Sequence, residues 1–131
     1  LNCDVSVVNQ EWAVYLKTLQ TDPPQIYRLG WGADYPDANN WLNEVFHSTS
    51  SSNYARYSDP QFDSLVEQAA REQDPAKRLD LYKQAERLLA ETDAGIAPIY
   101  HYTTVQLTKP YLQRTYSPFG SERFENWKVV R

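Results

Sequence analysis

Apolar positions recur along the chain with two different periods. Between Gln10 and Gln20, residues Trp12, Tyr15, Leu16 and Leu19 fall at i, i+3, i+4 and i+7, the spacing of one helical face, and Thr21-Asp22-Pro23-Pro24 ends the run. Phe62, Leu65, Val66, Ala69 and Ala70 repeat that spacing, and Leu79, Tyr82, Ala85, Leu88 and Leu89 repeat it again. The first of these two helices opens at Ser58-Asp59-Pro60-Gln61, with Ser58 as the expected N-cap and Gln61 completing a capping box; the second opens at Asp74-Pro75 and runs to Gly95. Two helices joined by so short a link are expected to form an antiparallel hairpin. A shorter helix is expected over Trp41 to Phe46.

The second period is the alternation of extended chain. Asp4 to Val8, Ile26 to Trp31, Ile96 to Tyr102 and Thr104 to Thr108 are rich in β-branched and aromatic residues and predict strands, Pro98 favouring an edge or a strand start. Ala33 to Asn40 is polar and turn-rich, and Ser48 to Asn53 reads as a flexible loop. Lys109 to Arg131 has few apolar residues beyond Trp127 and Val129-Val130, so it predicts a tail that leaves the main body. These helices and strands together predict a mixed α/β fold class.

The chain has 131 residues, 41% hydrophobic and 23% charged, which suits one soluble folded unit or part of one. Thirteen basic against seventeen acidic residues leave a net charge of −4 with no basic block, which argues against a nucleic-acid partner. No apolar run approaches the roughly 20 residues of a membrane span, so direct membrane insertion of this segment is not expected. Cys3 has no partner for an internal disulfide. The chain contains no methionine and begins LNCDVSVV, from which a piece of something larger is expected.

Candidate chemistry is sparse. His47 and His101 lack metal-ligand spacing, and Asp34, Asp37, Asn39 and Asn40 miss the order and the distant glutamate of a calcium loop, so neither a metal nor a cofactor is expected. Gly30-Trp31-Gly32 is not a dinucleotide fingerprint, and no serine sits in a nucleophile elbow, so the chain does not read as an enzyme. Arg28 and Asp34 have the same strand parity as Gly30 and Gly32 and would emerge on one open face. Fully extended chain would set their backbones roughly 20 Å apart, a spacing that could bracket a short zwitterion; each could equally meet an ordinary surface partner. Trp12 and Trp31 could likewise be core aromatics.

The ordered motifs GWGADYPD, WLNEVF, NYARYSDPQFDSLV, DPAKRLDLYKQAERLL, IAPIYHY and LTKPYL, spread from Gln10 to about Leu112, resemble the C-terminal part of the extracellular solute-binding proteins of peptide and nickel ABC importers. The pattern is most similar to that of the oligopeptide-binding proteins. The resemblance implies a two-lobe periplasmic-binding-protein-like fold that closes on its ligand, one lobe holding a mixed sheet and the helical hairpin. Residues 1–103 would be the C-terminal half of the ligand-binding lobe, and 104–131 the segment returning toward the other lobe.

The resemblance also assigns residues. Asp34 falls on the acidic residue that receives a ligand's α-amino group, and Arg28 on an arginine that can meet its carboxylate; Trp12, Trp31 and Tyr102 would line the cleft. It implies a peptide or other small amine-bearing solute as ligand, a membrane permease as partner, and a place in the periplasm or on the extracellular face. Leu19 to Gln25 lacks the Arg-His pair of some oligopeptide binders, so recognition of the far peptide end does not carry over. Within the family a nickel complex, an opine or a sugar is the alternative ligand; outside it, the alternative is a stand-alone interaction module built on the hairpin.

Overall fold

The computed structural model describes residues 2–117 and 122–130. Four α-helices carry the structure: α1 (Trp12–Thr21), α2 (Ala38–Phe46), α3 (Pro60–Arg71) and α4 (Pro75–Arg87). A π-helical turn, Leu88–Thr92, prolongs α4.

Each helix begins on an acidic side chain that satisfies amide groups left open at its first turn. Glu11 accepts from Ala13 and Val14, Asp37 from Asn39, Asp59 from Phe62, and Asp74 from Ala76 and Lys77. The cap of α3 is therefore Asp59, not Ser58. With Asp59 as cap, Pro60 occupies the first helical position, where a missing N–H costs nothing, and Asp74-Pro75 repeats the arrangement in α4.

Helices α3 and α4 form the expected hairpin, and α2 packs across it. The core is Phe62, Leu65, Val66, Ala85 and Leu89, with Leu42, Phe46, Tyr57, Leu81, Leu88 and Ile96 against it. Two expected core positions face out: Ala70 is exposed and Leu79 is 54% exposed. The buried line of α4 runs through Tyr82, Ala85 and Leu89, and Leu79 lies about 100° of helical rotation from Arg78, which precedes Tyr82 on that line by one turn.

The extended segments differ more from expectation. Asp4 to Val8, Ile26 to Trp31, Ile96 to Tyr102 and Thr104 to Thr108 form no ladder among the described residues. Strand-like composition marks residues suited to a pleated surface, but a strand exists only when a neighbour supplies hydrogen bonds. The sheet present is a two-stranded antiparallel pair, β1 (Leu112–Gln113) with β2 (Lys128–Val129), in the segment read as a tail. That segment folds around Arg114, which pairs with the nearly buried Glu122 and lies 4.6 Å from the Trp127 ring centre. Positions 118–121 and 131 of the expected tail lie outside the described residues.

The serine-rich loop is pinned by hydrogen bonds, which corrects its reading as flexible. Ser48 donates its amide to Asp63 (3.0 Å), Ser50 its hydroxyl to the Glu44 carbonyl, and Asn53 its side-chain amide to the Tyr57 carbonyl (2.7 Å).

At the end of the hairpin Ala94 takes a left-handed backbone (φ 49°), and the Gly95 amide reaches back to the Leu89 carbonyl at 2.8 Å. A Cβ on Gly95 would stand 3.0 Å from Tyr57 Cδ2 and 3.1 Å from Leu89 Cδ1, so this position holds a glycine for space. Ala94→Gly should raise stability by about 0.5 kcal/mol, relief of the left-handed strain exceeding the added unfolded-state entropy. Gly95→Ala should lower stability. Urea midpoints at unchanged m-value check both.

Candidate functional site

The segment Arg28 to Asp37 joins two groups of side chains. The first surrounds Arg28. Its guanidinium donates to the hydroxyls of Tyr100 (3.0 Å) and Tyr102 and stands 5.6 Å from the Tyr102 ring centre. The two tyrosine rings meet edge to face at 4.8 Å. Tyr15 donates its hydroxyl to the Arg28 carbonyl at 2.6 Å, and its ring lies 6.0 Å from that of Trp12. Gly30 faces the Tyr102 ring, where a Cβ would stand in ordinary contact at 3.4 Å. Trp12, Arg28 and Tyr102 thus belong to one exposed aromatic and cationic cluster, although no sheet sets their parity.

The second group is centred on Asn40, whose side chain is fully buried. Its carbonyl oxygen accepts from Trp31 Nε1 at 2.9 Å and from the Asp34 backbone amide at 3.2 Å, while its amide donates to Glu44 at 2.7 Å. Glu44 also accepts the Tyr35 hydroxyl, which raises the Tyr35 pKa. The Asp34 residue is exposed, and its carboxylate makes no hydrogen bond or ion pair among the described residues. Trp31 is half-buried against this network.

One turn further on, Asp37 caps α2 and receives Arg78 of α4 in a two-pronged ion pair, both N–O distances 2.7 Å. Arg78 also donates to the Ala69 carbonyl (3.0 Å) and the Tyr82 hydroxyl (3.2 Å). Arg78 holds the Asp37 carboxyl below its ordinary value of 3.8.

The five residues singled out in the sequence divide between the two groups: Trp12, Arg28 and Tyr102 fall in the first, and Trp31 and Asp34 in the second. Asn40, Glu44, Tyr100 and Arg78 were missed. Asn40 and Glu44 sit in or beside a polar turn, and Arg78 reads as one helix-surface charge among many; only the i, i+4 spacing of Asn40 and Glu44 hints at a pair. An open groove of about 490 Å³ beside α2, lined by Asn43, Glu44, His47, Glu67 and Arg71 among others, shares Glu44 with the second group and holds none of the five. No group of metal-ligating side chains occurs among the described residues.

No family model matches the chain. It is 38% identical over 112 residues to the periplasmic oligopeptide-binding protein OppA of Escherichia coli, covering 86% of this chain and 20% of the relative. The structure of Haemophilus influenzae OppA in complex with the peptide RPPGFSPFR superposes with a TM-score of 0.82 at 34% identity, over 98% of this chain and 25% of that one. Over most of its length the chain is homologous to the periplasmic peptide-binding proteins. The Escherichia coli murein tripeptide binding protein MppA agrees, with a TM-score of 0.85 at 33% identity over 98% of this chain and 25% of that one. The fold is therefore that of a portion of these α/β proteins, and the chain spans about a fifth of the length of the curated relatives it matches. These relatives are named as binding proteins rather than enzymes.

Asp37→Asn keeps a good cap while removing the ion pair, and should cost about 1 kcal/mol at neutral pH. Because the folded carboxyl titrates below its ordinary value, that contribution is complete above the ordinary carboxylate pKa and is lost as pH falls through the lowered one. The stability difference between wild type and Asp37→Asn, measured by urea unfolding, should therefore shrink from pH 5 toward pH 2.

Proposed function

We propose that the chain is the ligand-contacting portion of a peptide-capturing protein of an ABC importer, with Asp34 receiving the ligand's α-amino group. The observation that carries this reading is an exposed carboxylate on a loop whose backbone is fixed while the carboxylate itself has no cation among the described residues. A carboxylate already neutralised by the protein would have little to offer an ammonium group. Arg28, tethered to Tyr100 and Tyr102 but paired with no acid among the described residues, is the complementary site for a ligand carboxylate.

Trp12, Trp31 and Tyr102 supply aromatic surface to the same cleft. Peptide side chains would then be accommodated by packing and water, while charge at the ligand ends provides orientation. Residues 1–103 would belong to the ligand-binding lobe and 104–131 would return toward the other lobe. The complete protein would close by a hinge motion and deliver its cargo to a membrane permease from the periplasmic or extracellular side. None of this calls for a cofactor.

In the complete binding protein, Asp34→Ala should weaken binding of trialanine about 30-fold or more, the loss of a charge-assisted partner worth about 2 kcal/mol or more. Binding of N-acetyl-trialanine should change little, because acetylation has already removed the charge. Equal losses for both ligands by calorimetry would remove Asp34 from this role.

A further inference from the structure

Asn40 is the one fully buried polar side chain among the described residues. Three of its hydrogen-bonding positions are used, and their directions leave a single orientation for the amide. Trp31 Nε1–H and the Asp34 N–H are both donors, so they require the carbonyl oxygen; the Glu44 carboxylate is an acceptor, so it requires the NH₂ group. An aspartate at this position would set a second carboxylate against Glu44, and a leucine of similar size would leave two donors and a carboxylate without this partner.

Two of the three bonds hold the loop that carries Asp34, and the third reaches it through Glu44 of α2. On one side the Asp34 backbone amide is held by Asn40; on the other, the Tyr35 hydroxyl is held by Glu44, which Asn40 itself braces. Asn39 adds a bond from its amide to the Tyr35 hydroxyl at 2.8 Å. Every tether acts on backbone or on neighbouring side chains, and none is spent on the Asp34 carboxylate. Trp31, three residues earlier, is fixed by the same oxygen, so the aromatic wall and the acidic group are set relative to each other by one atom, Asn40 Oδ1.

We propose that Asn40 is a positioning residue for ligand-amine recognition: its buried side-chain amide fixes the Trp31 to Asp34 loop so that the Asp34 carboxylate is presented to an ammonium group without being neutralised. This rests on the assignment of Asp34 to the ligand's amino group. Asn40 touches no ligand in this role. It removes the cost of ordering the loop at the moment of binding, which is how preorganisation increases affinity.

The test uses the complete binding protein with trialanine and N-acetyl-trialanine as probes, and reads the ratio of their affinities by calorimetry. Asn40→Leu should lower the preference for the free amine at least 10-fold, any loss for N-acetyl-trialanine, which also meets the Trp31 wall, being at least 10-fold smaller than the loss for trialanine. Combining Asn40→Asp with Glu44→Gln reverses the donor and acceptor between the two side chains at constant net charge, keeps an oxygen for Trp31 and Asp34, and should return the preference to within about threefold of wild type. A folded Asn40→Leu protein with unchanged preference, or with both probes weakened equally, would overturn the proposal by reducing Asn40 to a purely structural residue.

If Asn40→Leu does not fold, hydrogen exchange on the wild-type protein decides. The Asp34 amide should exchange at least 10-fold more slowly than that of Gly32, which has no hydrogen-bond partner among the described residues. Equal exchange at the two positions would overturn the proposal. Failure of the underlying reading looks different: Asp34→Ala would then leave the free-amine preference of the wild-type background unchanged, whatever Asn40 does.

Discussion

The ion pair between Asp37 and Arg78 is the contact on which the arrangement of the site depends. Asp37 sits where the Asp34 loop becomes α2, and its carboxylate both caps that helix and receives the guanidinium of α4. The same guanidinium holds the Ala69 carbonyl on α3 and the Tyr82 hydroxyl on α4. One planar group with donors in a fixed fork therefore ties three helices to the end of the functional loop, a task that a lysine with one rotating point charge could not perform with the same geometry.

From that anchor, order passes outward in steps. The hydrophobic core of α2, α3 and α4 sets the helix axes; the Asp37 to Arg78 pair sets where α2 begins; Asn40, in the first turn of α2, then reaches back to Trp31 and Asp34. Burying Asn40 would be costly if its amide were unpaired, and it is tolerated because the loop supplies the donors that its oxygen needs. The loop is thus part of the reason the helix start is stable, and the helix start is the reason the loop has one conformation.

The hairpin was legible because its information is local. Phe62, Leu65, Val66 and Ala69 repeat at helical spacing, and Asp-Pro steps mark both starts. The error at Ser58 arose because serine and aspartate are both good caps, and only the place of Pro60 decides between them. The strands were less legible. Ile26 to Trp31 and Ile99 to Tyr102 have strand composition, but a ladder is a relation between segments, which one segment cannot reveal.

The candidate site divides in the same way. Asp34 and Arg28 were found through a motif that carries them, whereas Asn40 looks like one more asparagine in a polar turn until the chain folds and buries it. Its role depends on what lies six to nine residues upstream in three dimensions, and neither helical nor strand spacing encodes that. Arg78 was hidden for a related reason, because its partner Asp37 is 41 residues away in sequence.

A carboxylate held ready by its surroundings, and left unpaired by them, is suited to receive a ligand's amino group. A crystal structure of the complete protein with trialanine would decide whether Asp34 does so. The ligand ammonium nitrogen should lie within about 3 Å of an Asp34 carboxylate oxygen, with Asn40 still bonded to the Asp34 amide. An Asp34 carboxylate paired with an arginine or lysine of the protein, and a ligand ammonium bound elsewhere, would contradict this assignment.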